Sequence, residues 1–456
     1  MSGSQMILGL VVGIIILLVL ILKTKVHPFL ALIIVASFVG LVGGMPSADV
    51  ITAIKNGFGS TLGSIGIIIG FGVMMGQLFE ISGAAERMAR TFIRALGKGR
   101  EEIALALTGF IVSIPIFCDS GFVILSPLVR AISKSTKKSM TSLGVALAVG
   151  LVVTHSLVPP TPGPVGVAGI YGVSVGSLLL WGIIIAIPMV AVGLLYAKKV
   201  GQEIYLVPSD KDDQPAIRLN GKDVTLTYDI VNEDDTNLPS NFIAFAPIVV
   251  PIILILINQM MPFFGVEGVL KSVFDFVGNP VIAVGVGLIV AIIGLTKGVS
   301  KEETIAQMEK GIKSAGIIIL VTGGGGALGS VLRTSGAGDY IAQMIAGTSL
   351  PPILLPFIIA TIVRVIQGSG TVSMITAASI TAPILSTMDV NLVFAALASC
   401  VGSLFFSYFN DSYFWVVNRT LGITDTKEQI KAWSVTSTLA WAVGGISVFI
   451  LNAIFG

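Results

Sequence analysis

Long apolar segments, separated by short polar ones, run through almost the whole chain. A segment of about 20 apolar residues is long enough to cross a bilayer as an α-helix. Lysine and arginine cluster between alternate segments, and such clusters favour the cytoplasmic side. The pattern therefore predicts an all-α polytopic membrane protein with about ten transmembrane helices and both termini outside. The predicted spans are residues 6–22, 28–44, 61–80, 141–158, 175–197, 242–261, 280–295, 315–332, 392–409 and 433–451.

Two apolar segments, residues 103–133 and 353–388, do not fit the pattern of single spans. Basic residues lie on both sides of the first segment, so both of its ends are expected on the cytoplasmic side. We therefore predict a re-entrant hairpin with Asp119, Ser120 and Gly121 at its tip. The second segment is predicted to be a hairpin entered from outside. Irregular backbone at membrane depth is tolerated only inside protein or beside water, so each tip is a candidate binding site.

The two halves of the chain repeat these features in the same order. In each half a span ends near a Ser-Gly-Ala sequence, at Ser82 and at Ser335, and a hairpin and a broken span follow. Inverted repeats of discontinuous helices are typical of secondary transporters. The predicted domains are N-terminal scaffold helices at 1–60, a first repeat with the cytoplasmic-side hairpin at 61–200, a cytoplasmic linker at 201–241, scaffold helices at 242–313 and a second repeat with the outside hairpin at 314–456.

The composition is that of a membrane protein and gives no sign of an enzyme. Charged residues make up 11% of the chain, against about 25% in a typical soluble domain. Cys118 and Cys400 lie in apolar surroundings and are expected to be reduced packing residues. His27 and His155 are far apart, so the sequence predicts no metal site and no cofactor. The glycine run at 323–326 lies inside a span without a Walker lysine, which argues against an ATP-driven pump.

Asp119 and His155 are the candidate coupling residues. A charged, unpaired carboxylate at membrane depth costs roughly 2.5–3.5 kcal/mol on insertion scales. Asp119 is therefore either a proton carrier or a structural cap of the helix that follows it. His155 lies one turn before a proline-rich break. It is either a proton acceptor or a satisfied core histidine.

Polar groups at the second tip and at the second broken span are candidates for substrate binding. Arg364 would pair a substrate carboxylate through its planar fork, or else pair with Asp411 or bond hairpin carbonyls. Serine hydroxyls and glycine amides at helix N-termini attract anions, although small residues also serve ordinary packing. The candidate residues are Ser120, Gly121, Arg364, Gln367, Ser369, Gly370, Thr371, Asn410, Asp411 and Ser412.

At these motifs the chain resembles the gluconate permease family of proton symporters, within the ion transporter superfamily. The motifs that carry the resemblance are Ile114-Pro115-Ile116-Phe117-Cys118-Asp119-Ser120-Gly121-Phe122, Val158-Pro159-Pro160-Thr161-Pro162-Gly163-Pro164, Arg364-Val365-Ile366-Gln367-Gly368-Ser369-Gly370-Thr371-Val372 and Asn410-Asp411-Ser412-Tyr413-Phe414-Trp415. The resemblance implies proton-coupled uptake of gluconate or a similar small hydroxy acid, D-serine included. It also implies a scaffold domain, a moving transport domain and a bacterial cytoplasmic membrane. Thr161 joins the candidate substrate-binding residues through the proline motif, where the family often has histidine.

Two other classes of function compete with this prediction. One is an ion or small-anion channel, because opposed hairpins also occur in channels. The other is a membrane sensor that signals through residues 201–241, a hydrophilic stretch expected to be a linker with a short β-hairpin. The expected partners are a small carboxylate, protons and membrane lipid, with a homodimer as a candidate assembly and no nucleic acid.

Overall fold

The computed structural model describes residues 23–209, 216–219, 238–261, 267–335, 351–408 and 410–456, together with residues 9, 12–13, 15–17 and 19–20. Most of the first predicted span and most of the linker lie outside the described residues, as does the Gly-Ala sequence after Ser335. The helices of the first half are α1 (Pro28–Val42), α2 (Ser47–Ser82), α3 (Ala84–Leu96), α4 (Glu101–Val112), α5 (Cys118–Thr136), α6 (Met140–Leu157), α7 (Pro162–Tyr171) and α8 (Val175–Glu203).

The second half continues the helical pattern. Its helices are α9 (Asn241–Met260), α10 (Gly268–Val277), α11 (Pro280–Leu295), α12 (Lys301–Thr334), α13 (Leu354–Gln367), α14 (Gly370–Leu385), α15 (Leu392–Gly402), α16 (Ser412–Thr420), α17 (Thr426–Gln429) and α18 (Val435–Phe455), with a π-turn at Ile430–Ser434 between the last two. In the linker, β1 (Leu206–Pro208) pairs with β2 (Ala216–Arg218) in an antiparallel hairpin. This strand pair confirms the expected short β-hairpin, and the cytoplasmic location of the linker stays a prediction.

Apolar helices of membrane-spanning length confirm the predicted class. Within the described residues, five helices are long and apolar enough to cross a membrane, and two bent helix pairs raise the number to seven. One of these pairs is α2, which bends by 45° between Gly63 and Gly66. Shorter apolar helices, α1 and α13 to α15 among them, accompany the long ones. The total of ten spans stays a prediction.

Several predicted boundaries need correction. Helix α2 begins at Ser47 and α12 at Lys301, well before the predicted spans at 61 and 315, because polar turns extend both helices beyond their apolar segments. The predicted domain boundaries at 60 and 313 lie within α2 and α12, and the division into domains stays a prediction. The predicted span 392–409 ends at Gly402. There the hydroxyl of Ser403 bonds the Cys400 carbonyl at 2.7 Å, and such a bond competes with continued helix.

Each half contains two helix pairs interrupted by a short non-helical break. In the first half, α4 and α5 are separated at residues 113–117 around Pro115, and α6 and α7 at residues 158–161. In the second half, Gly368 separates α13 from α14 with a left-handed φ of 83°. Proline and left-handed glycine end helices for local reasons, through a missing N–H donor and through an accessible positive φ. The sequence predicted the breaks at residues 158–161 and at Gly368. The first hairpin tip was predicted at residues 119–121, but these residues form the first turn of α5 and the break lies just before them.

The helices pack as two groups. The first group consists of α1, α2, α9, α11 and α12, with α2 lying along α12. The second group contains the broken pairs α4–α5, α6–α7, α13–α14 and α15–α16 together with α8 and α18. The glycine run at 323–326 lies inside α12, as predicted, and a side chain at Gly326 would collide with Thr61 of α2. These glycines serve close helix packing.

Candidate substrate-binding cavity

A cavity of about 260 Å³ opens where the broken helices of the second group meet. The N-termini of α5, α14 and α16 and the C-terminal turn of α6 form its wall. The volume lies below the roughly 300–1,000 Å³ of pockets for drug-sized ligands, so the cavity suits a small molecule. Its lining residues are Cys118, Asp119, Val152, His155, Ser156, Arg364, Gly368, Ser369, Gly370, Thr371, Ser403, Leu404, Asn410, Asp411, Ser412 and Tyr413.

Asp119 enters the cavity from the first turn of α5. A hydrogen bond within the preceding break stabilises it: the Ser113 hydroxyl donates to the Ile116 carbonyl at 3.2 Å. Phe117, the N-cap of α5, has extended backbone. Across the cavity, the Ser412 hydroxyl donates to Oδ1 of Asp119 at 3.2 Å. Residues 293 positions apart are thus joined, and the contact links the first helix break to the last.

Arg364 and Asp411 form a buried ion pair at the opposite wall. Nη2 of Arg364 lies 2.5 Å from Oδ2 of Asp411. Their side chains are only 6% and 9% exposed, respectively. Arg364 also donates through Nη1 to the carbonyl of Gly368. These contacts match the alternative that the sequence left open, in which Arg364 binds Asp411 and a hairpin carbonyl. The expectation that Arg364 pairs a substrate carboxylate stays a prediction.

Asp411 is also the N-cap of α16. Its Oδ1 accepts the amide N–H of Tyr413 at 3.1 Å, and its Oδ2 accepts the hydroxyl of Ser407. A carboxylate at this position satisfies an amide that has no acceptor within the helix. Asp411 therefore organises the wall of the cavity and leaves little capacity for a ligand.

His155 reaches the cavity from the last turn of α6. Its ring packs against Phe117 with 5.6 Å between the ring centroids. Its Nδ1 is buried and has no hydrogen-bond partner among the residues that the structure describes. An unsatisfied buried polar atom costs about 1–3 kcal/mol, so the imidazole lacks one hydrogen-bond partner in this state.

The cavity gathers most of the predicted site residues and leaves out a few. Gly121 packs α5 on α6, since a side chain there would lie 2.8 Å from Leu151. Thr161 is 3% exposed and donates its hydroxyl to the Val158 carbonyl at 2.6 Å, so it stabilises the proline break. Ser120 does not line the cavity. The side chain of Gln367 lies outside the described part of the chain.

Some lining residues escaped prediction from the sequence. Val152 and Ser156 belong to this group. The spacing of three residues between Val152 and His155 on α6 was an available signal, and Ser156, next to His155, had none of this kind. Ser403 and Leu404 lie in the break after α15, which begins earlier than predicted. Tyr413 fills one side of the cavity and donates its hydroxyl to the Ala148 carbonyl at 3.2 Å.

Comparison with known proteins gives the family. The sequence model for GntP family permeases matches residues 5–454. The chain belongs to this family. A permease of Haemophilus influenzae is 49% identical over 99% of this chain and 93% of that protein. A gluconate permease of Pseudomonas aeruginosa is 34% identical over 99% of this chain and 98% of that protein.

A solved structure extends the comparison to the fold of this chain. The YdaH transporter of Alcanivorax borkumensis superposes with a TM-score of 0.69 at 12% identity, covering 93% of this chain and 98% of that chain. Its similarity concerns the fold alone. Family and composition together make this GntP family member a multi-pass membrane permease and not an enzyme.

Proposed function

We propose that this permease is a secondary active transporter that takes up one small hydroxylated carboxylate together with protons. Gluconate, a related sugar acid, glycerate and a D-serine-like amino acid are the candidate substrates, and the bacterial cytoplasmic membrane is the proposed location. The gluconate permease from Pseudomonas aeruginosa supports this class of substrate. The observation that carries the proposal is the convergence of three helix N-termini on one small cavity.

Helix N-termini provide the attraction for an anion. The first amides of a helix have no acceptor within it and carry partial positive charge. At α14, Ser369 caps the helix by accepting the amide of Val372 at 3.3 Å, and Gly370 and Thr371 occupy the first two helical positions on the cavity wall. A substrate carboxylate is proposed to bind these amides, with Ser412 and His155 as partners for its hydroxyl groups.

A count of charges links the anion to a proton. The charges of Arg364 and Asp411 cancel within their ion pair, so ionised Asp119 leaves the cavity with one negative charge. A substrate carboxylate in the same small cavity would then be repelled by the like charge of Asp119, in surroundings of low dielectric constant. A proton bound by Asp119 removes that repulsion. Proton and substrate are therefore proposed to bind together.

The two helix groups suggest how the cavity changes sides. Each of its lining residues lies on a helix or break of the second group, between Cys118 and Tyr413. The second group is therefore proposed to be the transport domain, which carries the site past the first group as a scaffold in an elevator-type mechanism. The matching pairs α4–α5 and α13–α14 are proposed to be the re-entrant hairpins of an inverted repeat.

Uptake into proteoliposomes tests the proposed function. Purified protein is reconstituted and supplied with D-gluconate, D-glycerate, D-serine or acetate, with and without an inward proton gradient. We expect at least one of the three hydroxylated acids to accumulate, with saturation, only when the gradient is present, and acetate not to accumulate. Flux that does not saturate would indicate a channel, and accumulation without a proton gradient would contradict proton coupling.

A further inference from the structure

The π-turn at residues 430–434 lies directly behind the cavity and brings Trp433 against its wall. Trp433 is fully buried, and its ring meets Tyr413 edge-on at 5.1 Å between centroids. Its indole Nε1 donates to the hydroxyl oxygen of Ser407 at 2.9 Å. π-turns are rare and are frequently found at functional sites. Trp433 does not line the cavity, so any effect on the ligand passes through its neighbours.

In the hydrogen bond between Trp433 and Ser407, the chemistry of the indole fixes which group donates. An indole N–H can only donate, so the Ser407 oxygen accepts from Trp433 and its single hydrogen is left for another acceptor. That acceptor is Oδ2 of Asp411, which also receives Nη2 of Arg364. The backbone of Ser407 is held as well, because the Ser434 hydroxyl donates to its carbonyl at 2.5 Å and its amide donates to Ser437 at 3.0 Å.

The chain of contacts ends at the cavity. Asp411 orients Arg364, and Arg364 donates to the carbonyl of Gly368. Gly368 is the left-handed turn immediately before Ser369, the N-cap of α14. A series of hydrogen bonds therefore runs from Trp433 to the turn that precedes the first amides of α14.

We infer that Trp433 is a positioning residue for the substrate cavity. Through Ser407 it fixes the Asp411–Arg364 pair, and through that pair it sets the turn that aims the N-terminus of α14 at the substrate carboxylate. This inference rests on the proposed function, because it assigns the α14 amides to a carboxylate. It separates Trp433 from tryptophans that only fill space.

The chain offers a matched control for this role. Trp441 lies two turns further along, in α18, and also uses its indole N–H in a hydrogen bond, to the Thr361 hydroxyl at 3.0 Å. Its ring stacks on Phe357, and its hydrogen bond goes to Thr361 and not to Ser407. Trp433→Phe and Trp441→Phe thus remove the same donor and the same ring volume, one from the Ser407–Asp411 contacts and one from a different hydrogen bond.

The experiment measures D-gluconate affinity and unfolding temperature for both variants, for Ser407→Ala and for the double variant Trp433→Phe/Ser407→Ala. We expect similar losses of unfolding temperature for the two tryptophan variants. Of the two tryptophan variants, only Trp433→Phe should weaken D-gluconate binding, by about two- to tenfold, the range expected for one lost hydrogen bond. Ser407→Ala should weaken it as well, because it breaks the same connection. The double variant should bind no more weakly than the weaker single variant, because both changes break the same connection.

Several outcomes would overturn the inference or its basis. Unchanged D-gluconate affinity in Trp433→Phe, or equal losses in Trp441→Phe, would show that Trp433 only fills space. Additive losses in the double variant would show that Ser407 does not transmit its effect. If Trp433→Phe does not fold, the D-gluconate affinity of Ser407→Ala tests the inference instead, because that variant keeps the rings of Trp433 and Tyr413. Unchanged affinity in Ser407→Ala would then overturn it. Wild-type protein that binds none of D-gluconate, D-glycerate and D-serine would instead contradict the proposed function.

Discussion

Asp119 is the residue on which the proposed coupling depends. The change Asp119→Asn keeps an oxygen that can accept the Ser412 hydroxyl, but it cannot exchange a proton. We expect the variant to lose accumulation of D-gluconate driven by a proton gradient. Exchange of labelled for unlabelled substrate should persist, because the neutral amide resembles the protonated carboxyl. Counterflow and gradient-driven uptake in proteoliposomes measure the two activities separately.

A carboxylate outside the cavity provides the control for this experiment. Asp389 lies in the exposed segment after α14 and does not line the cavity. Asp389→Asn should therefore accumulate D-gluconate like the wild type. Continued accumulation by Asp119→Asn would move the coupling role to another group, with His155 as the next candidate.

Arg364 is expected to contribute mainly to the stability of the folded protein. Its removal leaves Asp411 buried without its cation, and breaking a buried pair in this way costs about 3–5 kcal/mol. Arg364→Ala should therefore unfold at a markedly lower temperature in detergent, and Arg364→Lys should fall between it and the wild type because lysine lacks the planar fork. Replacing both partners, as Arg364→Ala/Asp411→Asn, should restore part of the loss.

Exposed Arg333 on α12 gives a reference substitution, Arg333→Ala, with an expected change within about 0.5 kcal/mol. The competing role for Arg364 has a distinct signature. If Arg364→Ala unfolds at the wild-type temperature and yet no longer binds D-gluconate, the guanidinium binds the substrate directly.

At the scale of helices, a buried ionic cluster closes the base of the α4–α5 pair. Lys138, just after α5, contacts Glu101 at 2.7 Å and Glu102 at 2.6 Å, at the start of α4. Burial by itself would lower the pKa of Lys138, but hydrogen bonds to both glutamates outweigh it and raise that pKa. Burial by itself would raise the pKa of Glu101. Hydrogen bonds from Lys138 and from the amide of Gly99 outweigh burial, so the pKa of Glu101 is lowered.

The cluster predicts a range of pH over which it stabilises the fold. A lowered carboxyl pKa gives stability that is present above the unfolded value of about 4.3 and is lost as pH falls through the folded pKa. A raised lysine pKa gives stability that is present below about 10.4 and is lost as pH rises through the folded pKa. The contribution is therefore complete between about pH 5 and pH 10.

Lys138→Met tests the cluster because it leaves two buried carboxylates without their cation. We expect it to destabilise the protein by about 3 kcal/mol at pH 7, and the difference from wild type to shrink below about pH 4. Thermal unfolding in detergent across this pH range measures both effects. Lys98→Met, at an exposed lysine in the loop before α4, should change little at any pH. A constant difference at all pH values would mean that Lys138 acts through packing alone.

At the scale of the whole molecule, the two helix groups meet where helix breaks of one press on glycines of the other. A side chain at Gly76 of α2 would collide with the carbonyl of Pro115 in the α4–α5 break. At Gly72, one turn away, it would lie 3.3 Å from the carbonyl of Pro160 in the α6–α7 break. In the proposed movement, the breaks of the second group pass along a surface of α2 where glycine leaves no side chain in the way.

Gly76→Ala should slow transport without weakening substrate binding. An added methyl group at a tight contact costs about 1–3 kcal/mol, so we expect a roughly tenfold lower transport rate with an unchanged D-gluconate affinity. Gly70→Ala on the same helix is the control, because a side chain there meets nothing within 4 Å. Wild-type transport by Gly76→Ala, or equal slowing in both variants, would argue against movement across this surface.

The sequence by itself determined two of the helix breaks and most of the groups placed at them, and it placed the first hairpin tip within a few residues of the break at 113–117. Pro115, the prolines after Val158 and the left-handed Gly368 end helices through their own backbone chemistry. Polar residues at such breaks must be enclosed by protein or line a cavity in a membrane, so Asp119, His155 and Ser369 were found in this way. These rules act within a few residues, and the sequence contains everything they need.

The tertiary structure alone decided which of those groups meet. Arg364 and Asp411 are 47 positions apart and Ser412 and Asp119 are 293 apart, so no local pattern fixed either pair. Both possible partners of Arg364 were compatible with the sequence, and the buried site selects Asp411 because an unpaired charge there would cost several kcal/mol. Trp433 escaped notice for the same reason: it acts through contacts that exist only after helices distant in the sequence have packed together.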